Sequence, residues 1–369
     1  MSLMNAPLPQ APTESSEPID IDHWQKIGST PDSSAQSSTE HRGVFGQYVN
    51  ELGRQASSVW NQFWFTPADP ATLGAIRVLI GAMLVYTHFV WGLDFESFFG
   101  PESWVTNELV QRYQQNDWVF SFWFVLPHTY AYPVHLACLG VLTLFTFGVF
   151  TRVTSLLSLL IVISYANRLP TAQYGLDQIN GILMFYLAVG PSGAAYSIDS
   201  WLRRPKESGP RTTAHGFGWD AYGPSIHANI ASRLIQLHMC VIYLFAGLGK
   251  LQGTAWWDGN AMWLAFANRE YQTLDMTWLC DYPWAVHVMT HFTIFWELTY
   301  CVFVWIPVLT PIVLFFAVVL HVGIGLCMGM WTFALAMIFG NLIFVPPDIV
   351  RRFVSRLTAR RHRVKSFGR

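Results

Sequence analysis

Long apolar stretches alternate with short polar connections along the chain from residue 71 onwards. Because the hydrocarbon core of a bilayer is about 30 Å thick, a helix needs about 20 apolar residues to cross it. Eight stretches approach this length, and the third and eighth are short enough to be tilted or re-entrant. The stretches are 71–93, 132–150, 153–168, 178–195, 231–250, 284–306, 309–328 and 330–346. This pattern predicts an all-α integral membrane protein, a polytopic bundle of about eight transmembrane helices.

Polar segments flank the apolar region at both ends. Residues 1–45 are rich in Ser, Pro, Thr, Glu and Gln and have too little apolar content to fold, which predicts a disordered tail. Residues 46–66 place Val, Leu, Trp and Phe on one side of a helix, as is typical of an amphipathic helix at the membrane interface. Residues 67–350 are then the predicted transmembrane domain, and residues 351–369 form a basic cytoplasmic tail.

The composition agrees with a protein that has the lipid bilayer as its partner. Hydrophobic residues make up 52% of the chain and charged residues 12%, whereas soluble domains carry about 25% charged residues. The 17 tryptophans suit the interface between membrane and water. A net charge of −1 gives no reason to expect a nucleic-acid partner. The five cysteines form no CxxC motif, and we expect no cleavable signal peptide at the N-terminus.

Basic residues outside the spans predict the orientation in the membrane. They occur at Arg152, in the segment 203–211 and in the final tail, which all fall on one side of an eight-span bundle. The alternate loops 94–131 and 251–283 are acidic. Since Lys and Arg concentrate in cytoplasmic loops, we expect a multi-pass protein whose N- and C-termini are both cytoplasmic.

Two ionisable residues in the first span have ordinary structural interpretations. Arg77 lies on the cytoplasmic half, where its long side chain is expected to snorkel to lipid headgroups. His88 lies in the outer half, where a lone histidine is usually a hydrogen-bonded packing residue. An ionisable group at this depth is nevertheless a candidate for a functional site.

A polar cluster precedes the fourth span. The outer start of that helix contains three polar residues, Asp177, Gln178 and Asn180. Asp177 is interpreted either as a residue near a helix N-terminus, where negative charge is favourable, or as part of the polar wall of a site. The pattern alone leaves both interpretations open.

Lys250 ends the fifth span, on a helix that also carries Tyr243 and is followed by Trp257. One interpretation makes Lys250 a cation that anchors the helix end at the interface. The other makes it a base, because an amine in an apolar pocket loses the solvation of its charged form and can then abstract a proton.

Glu297 lies in the middle of the sixth span, and His321 in the outer half of the seventh. A carboxylate at that depth must be paired or protonated. Most of the intramembrane polar groups fall toward the outer half of the bilayer, which predicts a cavity that opens outward. The residues assigned to it are His88, Asp177, Gln178, Asn180, Tyr243, Lys250, Trp257, Glu297 and His321. Their spacing fits no metal-ligand motif, and no metal is expected.

Three segments together resemble the HTTM domain, the membrane domain of vitamin K-dependent gamma-carboxylases and many bacterial proteins. They are residues 174–201, residues 236–262, which contain AGLGKL, and the run from WEL at 296–298 through 320–347. The similarity covers roughly residues 65–350. It implies that Lys250 matches the lysine that acts as the base on a reduced, vitamin K-like quinone. His321 matches a histidine of the corresponding helix.

The resemblance implies an enzyme but leaves its substrate open. In the carboxylases the reaction removes a proton from a glutamate side chain of a peptide or protein, and carbon dioxide then adds. The region before the fourth span has Asp177 and Gln178 where those enzymes carry a histidine, so a different substrate is equally compatible. The main alternative is a non-catalytic membrane protein that binds a quinone or lipid in the same cavity. A transporter is disfavoured because the chain has no internal repeat.

Overall fold

All regular secondary structure in the described residues is helical, apart from an isolated bridge between Ala68 and Ser225. A computed structural model of the chain describes residues 33–114, 119–203 and 223–366, with side chains from 45 to 357 inside those ranges. Contacts divide the described residues into two compact units, one that ends at residue 59 and one that begins at residue 60. The predicted all-α class is confirmed.

A helix occupies each of the eight apolar stretches. Among the described residues the α-helices are α1 (Ser33–Phe65), α2 (Ala71–Leu93), α3 (Phe95–Phe99), α4 (Asn107–Gln114), α5 (His128–Phe147), α6 (Thr151–Arg168), α7 (Gly175–Val189), α8 (Ile198–Leu202), α9 (Ile226–Lys250), α10 (Thr254–Trp257), α11 (Ala261–Phe266), α12 (Pro283–Phe303), α13 (Thr310–Met328), α14 (Trp331–Asn341) and α15 (Pro347–Ser366). The stretches correspond, in order, to α2, α5, α6, α7, α9, α12, α13 and α14.

Four of the described helices are long and apolar enough to cross a bilayer, as judged by length and composition: α2, α5, α9 and α13. A fifth candidate is a bent pair, in which Trp331–Phe344 and Pro347–Leu357 meet at 119°. Helix α7 is apolar but short, and polar residues interrupt the apolar sequences of α6 and α12. The chain is therefore a multi-pass membrane protein by these criteria, but the predicted count of about eight spans is not confirmed.

Helix α1 contains the segment predicted as an interfacial helix, but it begins earlier, at Ser33. Residues 1–32 of the predicted tail lie outside the described residues. Within the first unit, apolar side chains of α1 are exposed at Phe45, Tyr48, Val49, Leu52 and Val59. In the second unit, the amide of Asn229 donates hydrogen bonds to the last turn of α1 at the carbonyls of Phe63 (2.7 Å) and Trp64 (2.9 Å).

Helix α2 lies in the core of the second unit. It packs against α5, α7, α14 and α15, and its apolar side chains Leu73, Ile76, Ile80 and Leu84 are almost completely buried. A helix that is apolar around most of its circumference is typically surrounded by other helices. This explains why the first apolar stretch has so few polar positions.

Arg77 is buried within this core, and the prediction that it snorkels to lipid headgroups is wrong. Its guanidinium donates hydrogen bonds to the carbonyl oxygens of Ser192 (3.1 Å) and Tyr196 (2.5 Å). The loop between α7 and α8 contacts α2 so closely that a Cβ atom at Gly74 would lie 2.5 Å from the carbonyl oxygen of Ala195. The position of Arg77 along α2 does not predict its contact with this loop. The loop provides the hydrogen-bond acceptors that solvent would otherwise provide.

A residue of α8 caps the start of α6. One oxygen of the Asp199 carboxylate accepts a hydrogen bond from the backbone N–H of Phe150 (2.9 Å), and the other accepts from the N–H and hydroxyl of Thr151 (2.7 Å each). Partial burial alone would raise the pKa of Asp199, but these hydrogen bonds outweigh it and lower the pKa below its ordinary value. The charged carboxylate therefore stabilises the N-terminus of α6.

We expect Asp199→Asn to lower the unfolding temperature at neutral pH, because an amide oxygen accepts these hydrogen bonds less strongly than a carboxylate. A carboxyl group whose pKa is lowered by folding contributes stability above its ordinary pKa and loses it as pH falls through the lowered value. The difference between wild type and variant should be largest above about pH 5 and shrink as the solution becomes more acidic. Thermal unfolding in detergent over a pH series measures it.

The matched control is Asp281→Asn, which changes an exposed carboxylate that caps no helix. This control should leave the unfolding temperature nearly unchanged at every pH. A deficit of Asp199→Asn that is the same at acidic and neutral pH would contradict a stabilising role for the ionised carboxylate.

Candidate functional site

Lys250 and Glu297 form an ion pair between two neighbouring helices. Lys250 is the last residue of α9, and Glu297 lies within α12. The amine nitrogen Nζ lies 2.9 Å from one carboxylate oxygen and 2.8 Å from the other. The side chains are 23% and 12% exposed, so the pair borders the interior of the bundle. A carboxylate in such surroundings needs a partner, and Lys250 is that partner.

The close approach of α9 to α12 depends on Gly247. A Cβ atom at this position would lie 2.9 Å from the side chain of Leu298 and 3.2 Å from the Cβ atom of Glu297. Residues three apart lie on the same side of a helix, so the contact at Gly247 directs Lys250 toward Glu297. A Cβ atom at Gly249 would have no neighbouring atom within 4 Å, so this glycine takes no part in the close approach.

A buried chain of polar side chains extends from the same two helices to α14. The hydroxyl of Tyr300 donates a hydrogen bond to the Asn341 oxygen Oδ1 (2.6 Å), and Asn341 Nδ2 donates to the hydroxyl oxygen of Tyr243 (2.7 Å). All three residues are buried. Because Tyr243 accepts the hydrogen bond from Asn341, its own hydroxyl proton remains available to another acceptor.

His321 lies beside Tyr243, with 5.9 Å between the ring centroids. Its Nδ1 atom is 2.7 Å from the carbonyl oxygen of Ala317. A carbonyl oxygen only accepts hydrogen bonds, so Nδ1 carries the hydrogen and the neutral ring has its lone pair on Nε2. The Nε2 atom of His321 can therefore accept a hydrogen bond while Nδ1 stays bonded to its own helix.

The indole ring that faces the ion pair belongs to Trp256 rather than to the predicted Trp257. The Lys250 nitrogen lies 5.2 Å from the centroid of the Trp256 ring, which is a cation–π distance. Trp257 is 64% exposed, and its Nε1 donates to the carbonyl oxygen of Leu251 (2.7 Å). Consecutive residues of a helix point about 100° apart, so only one of the two adjacent tryptophans can face Lys250.

The predicted polar cluster at the start of α7 is separate from the ion pair. Asp177 accepts a hydrogen bond from the backbone N–H of Tyr174 (2.9 Å), so it lies in the first turn of a helix, as one of its two interpretations expected. Gln178 is exposed, and Asn180 is buried without a hydrogen-bond partner for its side chain among the described residues. No ion pair or hydrogen bond of the described residues joins Asp177 to Lys250, Glu297 or His321.

His88, which was assigned to the same cavity, belongs to another cluster between α2, α5 and α6. Its Nδ1 atom is 2.8 Å from the carbonyl oxygen of Leu84, and its ring centroid is 4.4 Å from that of Tyr165. The Tyr165 hydroxyl is 2.7 Å from Nδ1 of His135. The structure therefore divides the predicted outward-facing polar groups into three: those around the ion pair, those at the start of α7, and a second buried cluster that contains His88.

Three residues of the site were missed by reasoning from the sequence: Tyr300, Asn341 and Trp256. Asn341 could have been recognised from the sequence, since an amide in an otherwise apolar stretch needs a hydrogen-bond partner. The sequence does not single out Tyr300 or Trp256, because aromatic residues are common throughout this chain. His135 of the second cluster was also missed, although it is a lone histidine in an apolar stretch.

Two cavities lie away from the ion pair. One has a volume of about 490 Å³ and is bordered by residues 150–156 and 188–203. The other has a volume of about 430 Å³ and lies between α2, the end of α5 and residues 196–201. Neither is lined by Lys250, Glu297 or His321. Within the described ranges, no group of three or more His, Cys, Asp or Glu residues is placed to hold a metal ion.

The ion pair can carry out acid–base chemistry. Lys250 donates its hydrogen bond to Glu297, so a proton can pass from the ammonium to the carboxylate and leave a neutral amine. Such an amine is a base, whereas an arginine in its place would stay charged. His321 offers a second proton acceptor at Nε2, and the hydroxyl of Tyr243 offers a donor.

Comparison with known proteins gives one match. The family model of the HTTM domain matches residues 65–349, which contain the ion pair, His321 and the chain of Tyr243, Tyr300 and Asn341. No curated protein and no solved structure matches the chain.

We expect Asn341→Leu to destabilise the protein by about 2–5 kcal/mol, because two buried tyrosine hydroxyls then lose their partner. Tyr300→Phe removes one hydroxyl together with its need for a partner, and should cost only about 1–2 kcal/mol. Unfolding of both variants by denaturant in mild detergent gives the two free energies.

Asn260→Leu is the control, because Asn260 is exposed and its substitution breaks no buried hydrogen bond. It should change the free energy of unfolding little. Equal effects of Asn341→Leu and Asn260→Leu would show that the buried chain contributes nothing to stability.

Proposed function

Because this chain belongs to the HTTM domain family, we propose that it is a membrane enzyme in which Lys250 is the base for a reduced quinone. The observation that carries the proposal is the contact between Lys250 and Glu297 at 2.8–2.9 Å, with His321 beside Tyr243 of the Lys250 helix. Family membership relates the chain to vitamin K-dependent carboxylases. The pair supplies the group that proton abstraction requires.

The proposal includes the topology in which such a site would meet its ligand. All eight long helices cross the membrane, α6, α7, α12 and α14 as short, polar or bent spans, and both termini are cytoplasmic. This arrangement places the end of α9 near the outer surface. A lipid-soluble quinone would then reach Lys250 from within the bilayer, between helices rather than from water.

The side chains around the ion pair suit a flat ring that bears hydroxyl groups. The Lys250 nitrogen lies over the Trp256 ring, and the indole N–H of buried Trp296, whose ring contacts Tyr243, has no hydrogen-bond partner among the described residues. An unpartnered buried donor suits a ligand oxygen. The Nε2 lone pair of His321 suits a ligand hydroxyl, so donors, acceptor and aromatic surface fit a reduced quinone.

A bound reduced quinone would supply the hydroxyl proton and the electrons for reaction with oxygen. Lys250 first passes a proton along its hydrogen bond to Glu297 and becomes a neutral amine. The amine then takes the hydroxyl proton, so that one O–H bond breaks and one N–H bond forms. The Tyr243 hydroxyl accepts a hydrogen bond from Asn341 and keeps its own proton for a further acceptor. The proposed substrate of the later carbon chemistry is a glutamate side chain of a peptide or protein, or another weak carbon acid.

One observation favours a second candidate, a non-catalytic protein that binds a quinone or lipid. Glu297 already neutralises Lys250, and a closed ion pair of this kind also serves to fix two helices. In that case the charge of Lys250 matters and its basicity does not. The two candidates therefore differ in what an arginine at position 250 would do.

We expect Lys250→Arg and Lys250→Met each to lower quinol-dependent activity by at least about 100-fold, because neither side chain is a base at neutral pH. Purified protein in nanodiscs is supplied with vitamin K hydroquinone, and oxygen uptake and quinone oxidation are recorded. Quinone that co-purifies with each variant is measured by mass spectrometry. Lys250→Arg should keep the bound quinone and the contact with Glu297, so it separates basicity from charge.

Trp257→Phe serves as the control, because Trp257 is exposed at the end of α10 and the indole at cation–π distance from Lys250 is that of Trp256. Its activity should equal that of the wild type. An active Lys250→Arg variant would refute Lys250 as the base. Wild-type protein that carries the quinone without oxidising it would refute the enzyme and support the binding protein. Wild-type protein that neither carries nor oxidises the quinone would refute the enzyme and leave only a protein that binds a lipid.

A further inference from the structure

Helix α15 departs sharply from the helix before it. The segments Trp331–Phe344 and Pro347–Leu357 meet at 119°. Pro346 lies between them and Pro347 begins the second segment, and proline cannot continue the hydrogen bonding of a preceding helix. Helix α15 therefore does not continue in the direction of α14.

One side of α15 is fixed to the bundle. Val350 is buried, and the guanidinium of Arg351 binds both carboxylate oxygens of Asp69 at 2.6 and 2.7 Å. Asp69 precedes α2, and its neighbour Ala68 pairs with Ser225 at the start of α9. Helix α9 has 25 residues, so α15 lies roughly 37 Å from Lys250 along that helix. It belongs to the opposite end of the bundle.

Another side of α15 presents apolar side chains to its surroundings. Ile349, Phe353 and Leu357 are 47%, 62% and 54% exposed. Residues four apart lie above one another on a helix, so these three form a single row. Arg352 and Arg356 are exposed on the same helix.

The charge of residues 347–369 indicates what kind of surface can cover the row of Ile349, Phe353 and Leu357. Residues 347–369 contain one acidic residue, Asp348, and eight basic ones: Arg351, Arg352, Arg356, Arg360, Arg361, Arg363, Lys365 and Arg369. A second copy of the helix would bring two such segments together and repel. The helix is better suited to a surface that has both an apolar interior and negative charge. An anionic phospholipid leaflet has both.

We propose that α15 is an interfacial helix that docks on anionic phospholipids, with Phe353 in the acyl-chain boundary and the arginines on lipid phosphates. The ion pair of Arg351 with Asp69 holds the helix at the foot of the bundle, and Ile349 and Leu357 extend the inserted row. This assignment is independent of any chemistry at Lys250. It gives the protein a preference for membranes that contain acidic lipids.

Hydrogen exchange of the full-length protein tests the proposal. The protein is placed in nanodiscs of phosphatidylcholine alone or mixed with phosphatidylglycerol, and backbone exchange is followed by mass spectrometry over residues 347–366. We expect slower exchange with phosphatidylglycerol. The double variant Arg352→Gln and Arg356→Gln should weaken this protection by about fivefold for each charge removed.

Two further variants separate insertion from charge. Phe353→Ser should speed exchange in both kinds of nanodisc, because the apolar contact is lost whatever the headgroup. Arg112→Gln removes an exposed arginine from α4 and should leave the exchange of α15 unchanged.

Equal exchange in the two lipid mixtures would overturn the assignment to anionic phospholipids. A Phe353→Ser variant that instead converts a dimer to a monomer, measured by mass photometry, would overturn it in favour of a contact between copies. Loss of quinol-dependent activity in Lys250 variants leaves this result untouched, so the two proposals fail separately.

Discussion

Ionisable groups inside this apolar bundle are stabilised by the protein itself, and the arrangement of the helices depends on that constraint. Lipid offers no hydrogen bonds, so every charged group needs a protein partner from another segment. Lys250 and Glu297 neutralise each other across α9 and α12. Arg77 is stabilised by carbonyl oxygens of the loop between α7 and α8. Each of these groups therefore fixes two parts of the chain against one another.

The helices themselves were predictable because the length of an apolar stretch is a strong signal. All eight stretches became helices, and the need of Glu297 for a partner followed from its depth alone. The identity of that partner did not follow, because it depends on how α9 is rotated toward α12. Gly247 decides that rotation through its contact with Leu298, and a glycine in the sequence does not say which neighbour it approaches.

Sequence position gives the depth of a residue in the membrane but not its direction around the helix axis. His88 was grouped with Lys250 because both lie toward one end of their helices, yet His88 points to Tyr165 and His135. Arg77 was expected at the headgroups because its depth allows it, although a loop distant in sequence surrounds it. The choice between Trp256 and Trp257 failed for the same reason, since neighbouring residues face different ways.

The two proposals concern opposite ends of α9. The first end is tied to Ala68 by the bridge at Ser225, next to the contact of Asp69 with Arg351. The other end carries Lys250, roughly 37 Å away. Along this length α9 packs against α12 without an interruption in either helix. Neither helix is interrupted between these ends, so the two proposals concern separate parts of one unbroken helix, α9.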